Sequence, residues 1–525
     1  MRQSNFKMKR FNIIHKLKVA FEILIQLRSR DFKSAGNFLA YFYPSDNYLS
    51  RLVKFTLWSL NQIFNVIPKA METTTFASNI SPISIWLADS NPLEDFPWKQ
   101  NPSSQLPASV EVVVIGAGFT GAGCAYHWSK LGKGKMAVIE MNQAASGASG
   151  RNEGVVVMGR YFSFVKTMME SNLVKIRSDL NTKQIVQMGS QFAAAYVKSS
   201  YTNAEMIEKT IIDEGFDCDY SKNGWIQPYS ETDQENLQNS INEGLQAGFD
   251  DWTKITPQDA LSLSGIRIST DSGFSKGAAT WQPAKWVWAL LETALKSDNV
   301  DLFTNTKAES IEDAGEYYVI NTTKGKIQAR YIINATESYT ALLHPSFTDK
   351  LYPKQTQGFF AKDGPQNMKE KVAMGGTHGW FGKVPGTGGY IAGSDGKRVP
   401  HNKAGIIDPS RFITKFLVGH VHEYFGAVPS TVEREWTCTA GFTDDEYQGI
   451  IINDDRLLDG QDFHKKYKDL SMVFIVGFYF LNILDANIDA HLLDFNVDED
   501  LSFQPYFEND ELFNPNIGLK IKISL

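Results

Sequence analysis

The segment VEVVVIGAGFTGAGCAYHWSKLG, residues 110–132, constrains what this chain can fold into more than any other stretch. Val112–Ile115 is a short apolar, β-branched run, the pattern of a strand covered on both faces in a parallel sheet. Gly116, Gly118 and Gly121 follow at the spacing G-x-G-x-x-G, with Ala117, Phe119 and Thr120 between them. In such a unit the first glycine permits a tight turn, the second lets backbone approach a pyrophosphate, and the third lets helix and strand pack closely. Ala122–Lys130 then reads as a helix whose first N–H groups face the phosphates. A second strand, KMAVIE, ends at Glu140, with Met141 after it. A carboxylate at this distance accepts hydrogen bonds from an adenosine ribose. The order strand, glycines, helix, strand, acid predicts an α/β unit that binds a dinucleotide. It does not choose between NAD and FAD.

The loop SGASGRNEG, Ser146–Gly154, narrows that choice. Ser146, Gly147, Ser149 and Gly154 keep side chains small around Arg151, Asn152 and Glu153, as backbone must when a large flat ligand lies against it. A nicotinamide enzyme would pass to another βαβ unit here. Arg151 reaches a phosphate or flavin edge, or else fixes the loop by a salt bridge. At 525 residues the chain exceeds what one core serves, so two lobes are expected. A net charge of −7 argues against nucleic acid as a partner. Cys124, Cys218 and Cys438 are too far apart for a disulfide framework or metal knot and fit a reducing compartment, hence the cytoplasm. No His/Cys/carboxylate cluster has metal spacing.

Gly147–Gly154 resembles the GASGRNGG loop of the FAD-dependent D-amino-acid oxidase/glycine oxidase/sarcosine oxidase superfamily, with Glu153 in place of a glycine. The resemblance recurs along residues 85–450: SIWLADSNPLEDFP at 84–97, KGAATWQPAKWVWALLETALKS at 276–297, YYVINTTKGKIQARYIINATESYT at 317–340 and VEREWTCTAGFTDDEYQGI at 432–450. It implies a Rossmann-like FAD-binding domain interleaved with an α+β substrate domain on an antiparallel sheet. It places Ala308 by the adenine and Ala335–Thr336 by the flavin. Thr336–Glu337 replace a small pair, and Cys438 and Gln448 stand where glycine and proline are common. The family oxidises a C–N bond of an amino acid or amine, with hydride passing to flavin N5 and electrons going on to oxygen or a quinone-type acceptor. The boundaries implied are cofactor parts at 108–170, 255–345 and 430–500, and substrate parts at 171–254 and 346–429. Residues 172–218 read as long helices.

An amino-acid substrate calls for a cation to hold its carboxylate, and Arg160 in MGRYF is the first candidate. Trp281 and Gln282 sit at a family position near the ring. Residues 375–398 read as a hairpin whose Trp380 and Tyr390 wall the pocket and whose His378 and Arg398 bond substrate, against core packing or solvation for each. The pattern breaks near the C-terminus. The strand MVFIVGF, 472–478, keeps Gly477, but YFLNILD follows where the family has further glycines. Another flavin geometry, a flavin-deficient homologue acting as a scaffold, and a sequence error all fit that break. The tail is 501–525.

Residues 1–70 carry 12 Lys/Arg against 3 acidic residues, a balance of +9 that leaves −16 for the rest. Met8–Arg30 reads as a basic amphipathic helix, and Leu52–Ala70 is apolar but broken by Lys54, Asn61 and Gln62. Neither reaches the ~20 apolar residues of a spanning helix. This leader is a membrane-surface or organelle-targeting element, or a dispensable extension before Met71.

Overall fold

The computed structural model describes residues 47–131, 134–157, 162–376, 379–394, 398–405, 408–443, 501–509 and 515–523. Helix α1 (Tyr48–Asn61) runs through a π turn at Gln62–Val66 into the short α2 (Ile67–Ala70), and strand β1 (Thr74–Ser81) follows. The fingerprint forms β2 (Ser109–Ile115), α3 (Phe119–Leu131) and β3 (Met136–Ile139). Then come β4 (Val155–Val156), α4 (Phe162–Ile176) and α5 (Thr182–Glu214), matching the long helices read at 172–218. Asn181 and Gln184 form a capping box at the start of α5, and Gly215 ends it in the left-handed region at φ +67°.

The middle of the chain supplies β5 (Trp225–Pro228), α6 (Gln234–Gln246), β6 (Trp252–Ile255), α7 (Pro257–Ser264), β7 (Ser272–Ser275), β8 (Ala279–Thr280) and α8 (Pro283–Ala294). Next are β9 (Val300–Phe303), β10 (Ala308–Asp313), β11 (Tyr318–Thr322), β12 (Gly325–Asn334), α9 (Thr340–Leu343) and β13 (Leu351–Lys362). The remaining elements are β14 (Ala373–Gly375), β15 (Trp380–Lys383), β16 (Tyr390–Ser394), α10 (Arg411–Phe425), β17 (Ser430–Thr443), β18 (Leu501–Asn509) and β19 (Pro515–Ile523).

Two large sheets organise these parts. The six-stranded sheet runs β10-β11-β12-β2-β3-β9. Its β12, β2, β3 and β9 are parallel, with Ile115 beside both Asn334 and Ile139. Val112, Val113 and Val114 are buried, because α3 and α8 cover one face and a second apolar cluster fills the other. That two-sided burial is why the strand reads as an unbroken apolar run.

The nine-stranded sheet runs β1-β17-β13-β16-β15-β14-β5-β7-β6 and is antiparallel except at β1–β17 and β14–β5. Helix α10 lies on it, with Phe416, Leu417, Val418 and Val421 facing Phe359, Phe381 and Ala392 in one core. Two strands fall outside the segment boundaries read from the sequence. β7 lies within 255–345 and β17 begins the 430–500 segment, yet both belong to this sheet. β17 is held there by a long register with β13, from Leu351 opposite Thr443 to Lys362 opposite Thr431. The hairpin read at 375–398 is present as β15 and β16, with Trp380 opposite Gly393. β18 and β19 pair antiparallel, Leu501 opposite Ile523. The strand expected at 472–478, with Gly477, lies outside the described residues.

Candidate functional site

The C-terminal ends of β2, β3 and β12 open into a cleft of about 480 Å³. At Gly116 the chain turns with φ +110°, and a Cβ there would stand 2.4 Å from the Ala335 carbonyl oxygen. At Gly121 a Cβ would come within 1.8 Å of the Gly116 carbonyl oxygen, so α3 can begin against the turn only if that residue is glycine. Gly118 is approached by the protein itself: a Cβ would lie 2.8 Å from Ser149 Oγ. That same oxygen accepts the Phe119 N–H at 2.9 Å and so ties the small-residue loop to the first turn of α3.

Glu140 follows β3. Its carboxylate accepts the N–H groups of Ala117 and Asn142, each at 2.9 Å, and its face lines the cleft. Burial pushes this carboxyl above the usual range, against backbone donors that favour the anion. Of its roughly four lone-pair sites, the backbone N–H groups of Ala117, Asn142 and Met141 take three, which leaves room for a ligand hydroxyl. Met141, Ala308, Ala335 and Thr336 share the cleft wall with Glu140, as do Gly116, Gly118, Phe119 and Thr120. Ala117 and Gly121 lie behind the wall, in the turn and the helix packing.

The loop forms a short 3-10 turn at Ala148–Gly150. Ser146, Gly147, Ser149 and Arg151 line the cleft. Gly147 has nothing within 4 Å of where a Cβ would point. Arg151 donates through Nε to the Ser146 carbonyl at 2.8 Å and through Nη1 to the Thr437 carbonyl at 3.1 Å, bracing the loop against β17. Asn152 turns inward, its Oδ1 accepting the Gly154 N–H at 2.8 Å. Gly154 has φ +70°, and a Cβ would meet the Trp281 carbonyl oxygen at 2.7 Å. Asn152, Glu153 and Gly154 thus stand outside the main cleft. Glu153 is 4% exposed.

Two further cavities share walls in turn with the cleft. A space of about 20 Å³ shares Ala148, Arg151 and Cys438 with the main cleft. A cavity of about 290 Å³ shares Glu153 and Trp380 with that small space. Trp86, Trp225 and Trp281 also wall the larger one. Trp281 stacks on Phe119 with ring centroids 5.6 Å apart. At the rim Lys285 sits 3.2 Å from Asp219 and 3.7 Å from Asp89. Burial works against its charge, but the two carboxylates outweigh that and hold it above the usual lysine range.

Several expected pocket residues do other work. Gln282 caps α8: Oε1 accepts the Ala284 and Lys285 N–H groups at 2.7 and 3.0 Å. Its Nε2 donates to the Trp86 carbonyl at 2.8 Å, so both ends of the amide are engaged within the protein. Tyr390 does not wall the pocket. Its ring lies edge-on to Phe359 at 5.5 Å in the core behind the sheet, and alternation along β16 brings Ile391 to the cavity instead. Arg398 stacks its guanidinium over the Tyr352 ring at 3.9 Å, away from these walls. Arg160 and His378 lie outside the described residues. The cleft also takes walls that were not singled out, Tyr339 and Leu343 after β12 and Thr437 and Thr439 of β17, together with Cys438, read only as a departure from glycine. Glu337, noted only as a departure, has φ +48° and gives its carboxylate to the N–H groups of Ser338 and Gly441.

The sequence of residues 111–463, two thirds of the chain, matches the family model of the FAD dependent oxidoreductases (DAO). The chain belongs to this family. A D-amino acid dehydrogenase of Helicobacter pylori (strain ATCC 700392 / 26695) is 26% identical over 288 residues, covering 50% of this chain and 68% of that protein. Among solved structures, L-proline dehydrogenase from P. horikoshii superposes with a TM-score of 0.53 at 17% identity, over 67% of this chain and 86% of the other. L-alpha-glycerophosphate oxidase from Mycoplasma pneumoniae, with FAD bound, gives 0.52 at 13% identity, over 72% and 95%. This FAD-dependent oxidoreductase also matches, over residues 422–525, a family of unknown function (DUF5683). The break in the family pattern after Gly477 falls in that stretch. Among the described residues no helix is long and apolar enough to cross a membrane.

Proposed function

We propose that this oxidoreductase oxidises the C–N bond of an amino acid or amine, with the substrate in the 290 Å³ cavity and FAD along the main cleft. The observation that carries the reading is a set of three neighbouring cavities that share walls, the first two at Arg151 and the last two at Glu153 and Trp380. The residues fit the cofactor: Gly147 leaves an open cradle on the cleft side, and Glu140 offers a lone-pair site where a ribose would lie. FAD, when bound, supplies the hydride acceptor.

The N-terminus of α3 faces the pyrophosphate with its N–H groups and positive dipole end. Ala308 takes the adenine side, and Ala335–Thr336 the flavin side. Arg151, fixed by two backbone carbonyls, places a cation beside the ring or its phosphate. Trp281 and Trp380 keep water from the reacting carbon, and Gln282 positions Trp281 by anchoring α8. Arg160 remains the candidate for a substrate carboxylate. The cofactor part draws on the six-stranded sheet and the substrate part on the nine-stranded one. The relative named as a D-amino acid dehydrogenase supports an amino-acid substrate. The acceptor in this reading is oxygen or a quinone-type carrier, the compartment the cytoplasm, and the basic leader meets a membrane surface.

The test is the visible spectrum of the purified chain, followed by anaerobic addition of D- and L-amino acids and simple amines. Flavin bands that bleach with one of these classes support the reading and give the substrate. A folded, colourless protein that takes up no FAD would sink it.

A further inference from the structure

Tyr339 lines the main cleft with a polar group that the fold does not use. It closes the 3-10 turn Glu337–Tyr339 after β12, where its N–H donates to the Thr336 carbonyl at 2.9 Å. The ring has a fixed seat. A Cβ on Gly405, at φ +72°, would stand 2.1 Å from the phenol oxygen and 3.2 Å from Cζ, so the tip of the ring lies against that glycine. Gly405 is itself held, its N–H donating to Thr439 Oγ1 at 2.8 Å. The half-buried side chain nonetheless makes no hydrogen bond through its hydroxyl to any described residue. A tyrosine hydroxyl held in this way at the wall of a cleft is placed to donate to whatever fills the cleft.

Its neighbours indicate which part of a ligand it meets. Glu140 and Arg151 both act on the phenol through their charges, as do Glu337 and Cys438. Glu140 belongs to the ribose end of the cleft, and Arg151 to the end that shares walls with the small space. Tyr339 stands between these ends, which is where the pyrophosphate of a dinucleotide lies. That anion needs donors. Phe119, in the first turn of α3, has already given its N–H to Ser149 Oγ at 2.9 Å, so the helix terminus brings one fewer. The Glu337 carboxylate, which would repel a phosphate, is taken up by the N–H groups of Ser338 and Gly441. Burial raises the phenol pKa to about 12, so the hydroxyl keeps its proton at neutral pH. We propose that Tyr339 is a cofactor-binding residue whose hydroxyl donates a hydrogen bond to the pyrophosphate of FAD. The inference rests on the reading that FAD lies along the cleft, and it adds a contact outside the glycine fingerprint.

The experiment is isothermal titration of the full chain, freed of flavin, with FAD and with ADP, which shares the adenine, ribose and pyrophosphate but has no ring. In Tyr339→Phe both affinities should fall by the same factor, about ten- to hundredfold, as expected when a hydrogen bond to a charged acceptor is removed. The flavin-free variant should melt within about 1 °C of wild type, since the hydroxyl holds nothing within the protein. A variant that binds FAD and ADP as tightly as wild type overturns the proposal. A fall for FAD alone overturns it too, by moving the hydroxyl to the flavin half of the ligand. So does a flavin-free variant that melts several degrees lower, which makes the role structural. Wild type that binds neither ligand overturns the reading on which the proposal rests, and the proposal with it. Wild type that binds both keeps that reading, whatever the variant does.

Discussion

The carboxylate of Glu337, in the turn after β12, accepts the backbone N–H of Gly441 on β17 and so clamps the six-stranded sheet to the nine-stranded one beside the cleft. Glu337 reaches this position from a left-handed backbone at φ +48° that glycine adopts without strain. Replacing it with alanine keeps the strain and strips two N–H groups of their acceptor, an expected loss of about 2–3 kcal/mol. Glu337→Gly relieves the backbone and should be about 1 kcal/mol less damaging. Urea unfolding of both variants checks the order. Burial raises this carboxyl above its usual range. Its titration therefore contributes stability that is full below the unfolded value of about 4.3 and lost as pH rises through the folded one. The gap between wild type and the alanine variant should be widest in acid.

Two glycines of the cofactor region should respond to alanine in opposite ways. At Gly121 the new Cβ meets a backbone oxygen at 1.8 Å, so α3 cannot seat on its turn. Loss of more than about 3 kcal/mol, or failure to fold, is expected. At Gly147 the Cβ projects into open cleft and φ is −78°. Gly147→Ala should unfold within about 0.5 kcal/mol of wild type without cofactor, yet bind FAD about tenfold or more weakly. Thermal melts with and without added FAD separate the two effects.

Gln282 offers a way to tell a positioning residue from one that touches substrate. Gln282→Ala removes a helix cap and the donor to the Trp86 carbonyl, and about 2 kcal/mol of stability should go with them. If Gln282 acts only through α8, KM for the substrate found by flavin bleaching changes less than about threefold in the folded variant. A KM rise of two orders of magnitude with stability intact would place it against substrate.

His422, near the end of α10, has both ring nitrogens buried without a hydrogen-bond partner among the described residues. Burial lowers its pKa to about 4. A depressed histidine contributes stability that is complete above the unfolded value of about 6.5 and disappears as pH falls towards the folded one. Acidification from pH 7 to pH 4 should therefore cost up to about 3 kcal/mol through this residue. His422→Leu should flatten that part of the profile, which denaturant midpoints at several pH values would show.

The fingerprint was legible because its logic is local. Gly116 and Gly121 meet each other five residues apart, and Glu140 caps the very loop that precedes it. The loop at 146–154 was legible for a related reason: small side chains announce close approach wherever the approaching group comes from. Tyr390 misled because a residue name does not say which face of a strand it takes, and one step along β16 exchanges cavity for core. Thr437–Thr439 fell within the cofactor segment read at 430–500, with Cys438 noted as a departure, but no one of them was marked as a cleft wall. Their place depends on β17 pairing with β13 across some eighty residues, and no spacing within VEREWTCTAGF encodes that. Gln282 lines the 290 Å³ cavity where it was expected, and the sequence did not show that its amide also caps a helix.

The strand order of the two sheets also governs how the chain can be made. On a ribosome β2 and β3 emerge early, but β9 and β12 flank them from some 160 to 220 residues downstream. β1 waits longer still, because its neighbour in the sheet is β17. Throughout that delay the apolar edge strands of a half-built cofactor fold stand open to water and to other nascent chains. Synthesis rate and chaperone supply, as much as the finished contacts, then determine how much of this protein reaches the state described here.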